Sequence, residues 1–298
     1  MFSTPILFLI FNRPDTTQVV FNRIREIQPE KLYVAADAPR KDRPGEIEKC
    51  MLTRSIIDQV DWPCEVKTLF RTDNLGCKLS VSDAITWFFK EEEYGIILED
   101  DCLPHFSFFQ FCQELLIKYK DDDRIGHIGG NCFVPHIMPT ELSYDFCSVT
   151  HIWGWATWRR VWKNMDINFS FWDKYENRRS SLFCNKWEEI YFSSFVSDAL
   201  KGRNGMSSWA IPYYMMLRVQ NQLSVYPAVN LVTNIGLGDP NATHTMKGNN
   251  KMYVESQGIA FPLQHPQYKL NNRILNKAAI QFNFFSYKRL FRYLVKDF

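Results

Sequence analysis

Short apolar runs alternate with segments of helical periodicity through the first 130 residues, and this rhythm constrains the fold more than any other feature. The apolar runs are predicted as strands over residues 6–11, 31–36, 66–70, 94–98 and 124–128. Run 94–98 is unbroken, which is typical of a central strand buried on both faces. Strands that alternate with helices predict βαβ units with right-handed crossovers. The sequence therefore predicts an α/β fold with a mainly parallel central sheet flanked by helices.

Polar residues follow three of these predicted strands. Asn12 and Arg13 follow the first strand, Asp37 follows the second, and the triplet 99–101 (Glu-Asp-Asp) follows the run at 94–98. Ligands of open α/β sheets bind outside the carboxyl ends of the strands. We therefore expect these side chains to line one crevice.

Composition narrows the classes of function. Lys plus Arg number 35 against 33 Asp plus Glu, a formal charge of +2, so no global field favours nucleic acid as a partner. The P-loop, G-x-S-x-G, H-E-x-x-H and G-x-G-x-x-G motifs are absent, which argues against NTPases, serine hydrolases, zincins and dinucleotide enzymes. Aromatic residues reach 15%, and such side chains also stack on flat or sugar-like ligands.

The triplet of carboxylates is the strongest chemical signal in the chain. Three carboxylates at the end of one strand repel each other unless a cation lies between them. Their hard oxygen atoms suit Mg²⁺ or Mn²⁺, and such a metal would neutralise a diphosphate. The alternative interpretation is a solvated acidic turn.

After about residue 131 the sequence becomes rich in tryptophan and loops. Helices are predicted near 155–163 and 187–201, and a late strand at 230–235. No composition break resembles a linker, so we predict one domain over 1–270, with halves 1–130 and 131–270, and a helical tail over 271–298.

The chain resembles bacterial nucleotide-diphospho-sugar transferases of the GT-A fold, similar to the N-acetylglucosaminyltransferase I family. The resemblance runs from about residue 5 to residue 266 and lies in the segments PILFLIFNRPDTT, LYVAADAPR, DNLGCK, GIILEDDCLP, HIWGWATW and NLVTNIG, with THT downstream. It implies that residues 1–130 form the nucleotide-binding half and residues 131–270 the acceptor-side half.

The resemblance also implies roles for the residues at the strand ends. Arg13 and Asp37 would hold the nucleotide beside Asn12, with Asp37 accepting a hydrogen bond from the base. Glu99 would contact the donor sugar and Asp100 the ribose.

A metal site follows from the same match. Asp101 would bind the divalent metal, Mn²⁺ or Mg²⁺. His244 lies in a loop that closes over the donor in the family, where it would touch the diphosphate or complete the metal shell. A histidine exposed on a surface loop is the alternative.

The chain departs from the family at the catalytic base. Relatives carry an Asp in a W-D-x-x-W or W-D-D-W segment, whereas this chain has Ala210 in the segment SWAIPY. A general base typically contributes about 10²- to 10⁴-fold to the rate. Three alternatives stay open: another acid such as Asp239 acts, the acceptor needs little help, or the chain no longer catalyses.

The tryptophan-rich segment has two interpretations. Trp155, Trp158 and Trp162 share one face of the predicted helix and are typical of a packed core. His151 and Trp153 precede a glycine turn and are expected, with Trp155, on the acceptor side, where an aromatic face stacks on a pyranose ring.

The C-terminal tail alternates aromatic and basic residues at helical spacing. The expected membrane-facing set comprises Phe284, Tyr287, Lys288, Phe291, Arg292 and Lys296. A terminal helix docked on the domain is the alternative. Eight cysteines without a C-x-x-C pair, and an N-terminus without signal-peptide features, favour a cytoplasmic protein that touches the inner face of the membrane peripherally.

The expected function is that of a metal-dependent, inverting glycosyltransferase. It would transfer a sugar, N-acetylglucosamine being one candidate, from a UDP-sugar to a saccharide or lipid-linked acceptor in surface polysaccharide assembly. A catalytically silent protein that binds sugar nucleotides or glycans is the alternative, because of Ala210. Nucleotidyl transfer is disfavoured, since the segment after the first strand lacks a Gly-rich, Lys-containing loop.

Overall fold

A computed structural model describes residues 1–174, 176–201, 208–237 and 252–283. The first βαβ half contains β1 (Ile6–Ile10), α1 (Pro14–Ile27), β2 (Lys31–Ala36), α2 (Glu46–Ser55), β3 (Glu65–Phe70), α3 (Gly76–Glu91) and β4 (Tyr94–Glu99). A 3₁₀ turn at Ile56–Gln59 follows α2. These elements agree with the predicted order of strands and helices.

The rest of the chain adds shorter elements. They are β5 (Cys102–Pro104), α4 (Phe106–Lys118), β6 (Ile125–Gly129), β7 (Tyr144–Cys147), β8 (Trp155–Trp158), α5 (Arg159–Trp162), α6 (Phe171–Lys174), α7 (Lys186–Leu200), α8 (Ala210–Val219), β9 (Leu223–Pro227), β10 (Val232–Asn234) and α9 (Arg273–Asn283). Two 3₁₀ turns lie at Pro135–Ile137 and Glu176–Leu182.

The central sheet has eight strands in the order β3-β2-β1-β4-β8-β6-β9-β7. Strands β3, β2, β1 and β4 pair in parallel, as do β6 and β9. Strand β8 runs antiparallel between β4 and β6, and β7 runs antiparallel to β9. The predicted α/β class with a mainly parallel sheet is confirmed.

Burial explains why the apolar runs became central strands. All five residues of β1 are buried, because the sheet is covered by helices on both faces. Helix α1 begins with Pro14 in its first turn, where the missing N–H costs nothing, and it carries Asp15 near the positive end of its dipole. The parallel arrangement places the ends of β1, β2 and β4 at one edge of the sheet.

The predicted helix at 155–163 is wrong over its first four residues. Trp155–Trp158 form β8, and only Arg159–Trp162 are helical, as α5. A spacing of three fits a helical face, but the run is short, and aromatic and β-branched residues also favour strands. Pairing with β4 and β6 buries all four residues of β8, so Trp155 and Trp158 do pack in the core, as expected.

A second, two-stranded sheet brings a distant segment to the end of β4. Strand β10 pairs antiparallel with β5, placing Asn234 opposite Cys102. The N–H of Ile235 donates to the carbonyl oxygen of Asp101 at 2.8 Å. Gly236 therefore lies against the carboxylate triplet.

None of the helices in the described part of the chain is long and apolar enough to cross a membrane. All eight cysteines are free thiols, and five of them are buried.

Candidate functional site

The strand ends of β1, β2 and β4 open into a cavity of about 400 Å³, hereafter the first cavity. Its volume is within the usual range for small-molecule sites. The six residues predicted to bind the donor or its metal at these strand ends all line it: Asn12, Arg13, Asp37, Glu99, Asp100 and Asp101. Trp153, Ser208 and Trp209 form part of the wall from the second half of the chain. The structure thus brings together side chains that are up to about 200 residues apart in sequence, such as Asn12 and Trp209.

Arg13 bridges two members of the triplet. Its Nη1 donates to Asp101 Oδ2 at 2.9 Å, and its Nη2 forms an ion pair with Asp100 Oδ1. The other Asp100 oxygen accepts from the backbone N–H of Phe11 at 3.2 Å. Burial opposes the charge of Arg13, but Asp100 and Asp101 outweigh it and raise the pKa of the guanidinium. Arg13 therefore stays charged and fixes both carboxylates.

One arginine does not neutralise three carboxylates. Burial first, and then the charges of Asp101 and Asp100, raise the pKa of Glu99 to about 8. Burial also raises the pKa of Asp100 to about 7, with Asp101 adding to the shift and Arg13 opposing it. Within the described part of the chain, no hydrogen-bond donor reaches the Glu99 carboxylate. The triplet is therefore short of positive charge.

The residues fit a divalent cation that a substrate helps to hold. No group of three His, Cys, Asp or Glu side chains in the described ranges is arranged as a complete metal cage. Mg²⁺ and similar cations are commonly held by one or two carboxylates together with substrate phosphates and water. Asp101, with Glu99 beside it, supplies oxygen ligands of that kind at the cavity wall. The charge deficit and the donor set are both compatible with such a metal.

Asp37 has a structural role that the sequence did not reveal. Its Oδ1 accepts from the backbone N–H groups of Ala38 and Leu75, both at 3.0 Å, and its Oδ2 accepts from that of Gly76 at 2.9 Å. The carboxylate therefore ties the end of β2 to the start of α3. Asp37 still lines the first cavity, so its contact with the nucleobase of a donor stays a prediction.

Asn12 also acts through its neighbours. Its Nδ2 donates to Glu46 Oε1 at 2.8 Å, and the same carboxylate pairs with Arg40. Arg40 lines the first cavity and adds a second cation near the strand ends, a residue that sequence reasoning missed. The sequence could have indicated Arg40, because it lies in the segment LYVAADAPR, three residues after Asp37.

A smaller cavity of about 160 Å³, hereafter the second cavity, adjoins the first. Both are lined by Ile152 and Trp153, so these residues form their common wall. His151 also lines the second cavity, and its contact with an acceptor stays a prediction. Burial lowers the pKa of His151 to about 3, which makes it a weak proton acceptor at neutral pH.

Trp155 does not take part in either cavity. It is fully buried, stacked on His127 at 5.4 Å and on Trp209 at 5.6 Å between ring centroids. The expectation that Trp155 contacts the acceptor is therefore wrong. Its position inside the central sheet keeps its ring in the core.

Among the described residues, no carboxylate lines the second cavity, where Ala210 stands in place of the family's Asp. Ala210 begins α8 and lines the second cavity. The described carboxylates at either cavity are Asp37, Glu99, Asp100 and Asp101, all on the wall of the first. Three parts of the sequence prediction lie outside the described residues: Asp239, His244 and the tail from Phe284 to Lys296.

No family model and no curated protein matches the chain. Among solved structures, it is similar to mouse xyloside xylosyltransferase 1, with 10% identity, coverage of 74% of this chain and 84% of that one, and a TM-score of 0.37. It is also similar to a UDP-glucose pyrophosphorylase, with 7% identity, 78% and 93% coverage, and a TM-score of 0.37. HddC from Yersinia pseudotuberculosis matches with 10% identity, 56% and 83% coverage, and a TM-score of 0.34. All three TM-scores lie below 0.5, so these likenesses do not assign the chain to the family of any of these proteins.

Proposed function

We propose that this protein is a metal-dependent glycosyltransferase that uses a UDP-sugar donor. The observation that carries the proposal is the first cavity itself, where Arg13 and three carboxylates line the ends of β1 and β4. N-acetylglucosamine as the transferred sugar, a saccharide or lipid-linked acceptor, and a role in surface polysaccharide assembly come from the sequence resemblance.

The residues of the first cavity divide the work of binding a donor. Asp101 would hold Mn²⁺ or Mg²⁺, with Glu99 close by, and the metal would supply positive charge that stabilises the diphosphate leaving group. Arg13 keeps Asp100 and Asp101 in place and adds a fixed cation at the same wall. Asp37 holds the β2–α3 connection in the shape that borders the cavity.

The acceptor would approach from the second cavity, across Trp153. His151 there is neutral at physiological pH and can take part in hydrogen bonds, but it is a poor base. An inverting displacement by this chain would therefore depend on Asp239 or on an acceptor that needs little activation. The absence of a described carboxylate around Ala210 also favours the second candidate function, a silent protein that binds sugar nucleotides or glycans.

Release of UDP distinguishes these two functions. Purified protein with Mn²⁺ would be offered UDP-N-acetylglucosamine, UDP-glucose or UDP-galactose, with and without a saccharide and lipid extract. If the protein is a glycosyltransferase, we expect steady UDP release that depends on the extract and is lost in Asp101→Asn. Asp121→Asn, an exposed substitution of the same type, serves as the matched control. UDP binding without turnover on any donor would support the silent protein instead.

Peripheral membrane contact is the remaining part of the proposal. The aromatic and basic residues from Phe284 to Lys296 would bind an anionic lipid surface, bringing a lipid-linked acceptor near the site. Co-sedimentation with anionic liposomes should weaken when Lys288, Arg292 and Lys296 are replaced by Glu. Equal pelleting of this variant and the wild type would exclude an electrostatic anchor.

A further inference from the structure

The wall of the second cavity is mainly apolar. Phe133, Trp153, Ile211 and Met252 line it, and Ala210 leaves room at the start of α8. The ring of Trp153 is half-buried and meets Phe133 edge-on at 5.9 Å between centroids. A ligand group that enters here exchanges water for apolar contacts.

One polar atom in this wall lacks a partner. Asn131 lines the second cavity and is only 1% exposed, yet no donor in the described part of the chain reaches its Oδ1. Buried polar atoms of native proteins nearly always have a hydrogen-bond partner, so an unpaired one at a cavity points to a ligand or a bound water.

The surrounding hydrogen bonds fix which end of the Asn131 amide is unpaired. Its Nδ2 donates to the carbonyl oxygen of Val232 at 3.0 Å and to Asn230 Oδ1 at 3.3 Å. Asn230 Oδ1 must be an oxygen, because it also accepts from the backbone N–H of Cys132 at 3.1 Å. Both partners of the Asn131 Nδ2 are therefore acceptors, and a flipped amide would place its oxygen against two oxygens. The free group is an acceptor that needs an N–H or O–H donor.

We propose that the second cavity binds the acetamido group of an N-acetylhexosamine in the acceptor. The N–H of this group would donate to Asn131 Oδ1, and its methyl group would contact the apolar wall. A volume of about 160 Å³ corresponds to roughly five waters at ~30 Å³ each, enough for its four heavy atoms and part of the attached ring. Trp153, which is half-buried on the same wall, is the aromatic residue against which that pyranose ring would stack.

The acceptor is the source of this group, and this step rests on the proposed function. Arg13 and all four described carboxylates line the first cavity, and none of them lines the second. A nucleotide-bound sugar is tied to the first cavity through its diphosphate. The second cavity, beyond the shared Ile152 and Trp153, is the place for the other sugar.

The test compares two probes that differ at the acetamido position. Methyl N-acetyl-β-D-glucosaminide and methyl β-D-glucoside would be titrated against the protein by saturation-transfer difference NMR. We expect the acetamido probe to bind at least about tenfold more tightly, with its acetyl methyl protons receiving the strongest saturation. Equal affinities, or saturation centred on the ring protons, would overturn the proposal.

Two variants locate the binding in the second cavity. Ala210→Leu fills the space at the start of α8 and should weaken the acetamido probe at least about tenfold, whereas Ala199→Leu, a half-buried position on α7 outside both cavities, should not. Asn131→Leu removes the acceptor oxygen and should weaken the same probe. If Asn131→Leu fails to fold, Ala210→Leu alone tests the location of the site. Unchanged binding of the acetamido probe by Ala210→Leu would refute a site in the second cavity.

Two further arms separate the acceptor from the donor. Acceptor binding predicts that saturating UDP with Mn²⁺ leaves the acetamido probe bound, and that Ala210→Leu leaves the affinity for UDP-N-acetylglucosamine unchanged. A selective loss of UDP-N-acetylglucosamine affinity over UDP-glucose would assign the cavity to the donor and contradict the proposal. Normal UDP binding without acetamido selectivity refutes this inference alone, whereas acetamido selectivity without UDP binding refutes the proposed donor site alone.

Discussion

Replacing Gly236 by alanine tests how the carboxylate triplet is held. A Cβ at this position would lie 2.5 Å from Asp101 Oδ2 and 2.7 Å from Arg13 Nη1. Ordinary contact begins at 3.4 Å, so the Asp101 oxygen would have to retreat by about 0.9 Å. The backbone of Gly236 does not adopt a left-handed φ, and alanine adds no backbone strain there. The substitution therefore acts as a wedge between Arg13 and Asp101.

The structure sets the size of the expected effect. The wedge breaks the 2.9 Å hydrogen bond between Arg13 and Asp101, whose side chains are 18% and 10% exposed. A hydrogen bond between charged groups is worth about 1.5–3 kcal/mol, so we expect the free energy of unfolding to fall by about that amount. Displacement of the same carboxylate should weaken binding of UDP with Mn²⁺ at least about tenfold.

The assay pairs urea denaturation with isothermal titration of UDP and Mn²⁺. Gly258→Ala is the matched control, because the atoms nearest to its new Cβ belong to the ring of His105, at 2.9 Å and beyond, away from the first cavity. It should keep the wild-type affinity for UDP. If Gly236→Ala binds UDP and Mn²⁺ as tightly as the wild type, the ion pair does not organise the site.

Two more predictions concern the framework of the site. Asp37→Asn puts an amide where a carboxylate accepts from three backbone N–H groups, so urea denaturation should show a loss of about 1–3 kcal/mol, and an unchanged midpoint would contradict the structural role. Burial lowers the pKa of His127 to about 3, so its neutral form is favoured in the folded state, and this stability is present above pH 6.5 and lost as the pH falls towards 3. In that window, stability of the wild type should fall by up to about 1.4 kcal/mol per pH unit more steeply than that of His127→Gln, and parallel curves from pH 6.5 to 4 would refute the assignment.

The central sheet and the location of the first cavity could be predicted from the sequence because both depend on local patterns. Unbroken apolar runs identify strands buried on two faces, and parallel topology then places the residues that follow them at one edge. Arg13, Asp37 and the triplet meet for this reason. The sequence does not indicate how these side chains pair with one another. The bridge that Arg13 makes between Asp100 and Asp101, for example, could not be predicted.

The structure of residues 131–270 was harder to predict, because its strands and cavities form through contacts between residues that are distant in sequence. Residues Trp155–Trp158 form a strand only through pairing with β4 and β6, and a spacing of three residues does not distinguish that from a helix. The approach of Gly236 to Asp101 follows from the pairing of β10 with β5. The second cavity combines Asn131, Trp153 and Ala210, which tertiary packing alone brings together.

Titration of UDP in the presence and absence of Mn²⁺ is the most direct test of the central claim, that the first cavity binds a nucleoside diphosphate through a shared cation. The proposed site predicts binding at least about tenfold tighter with Mn²⁺, because the metal relieves the repulsion between the triplet and the diphosphate. The Mn²⁺-dependent gain should disappear in Asp101→Asn. No measurable UDP binding, or the same affinity with and without Mn²⁺ in the wild type, would contradict the account.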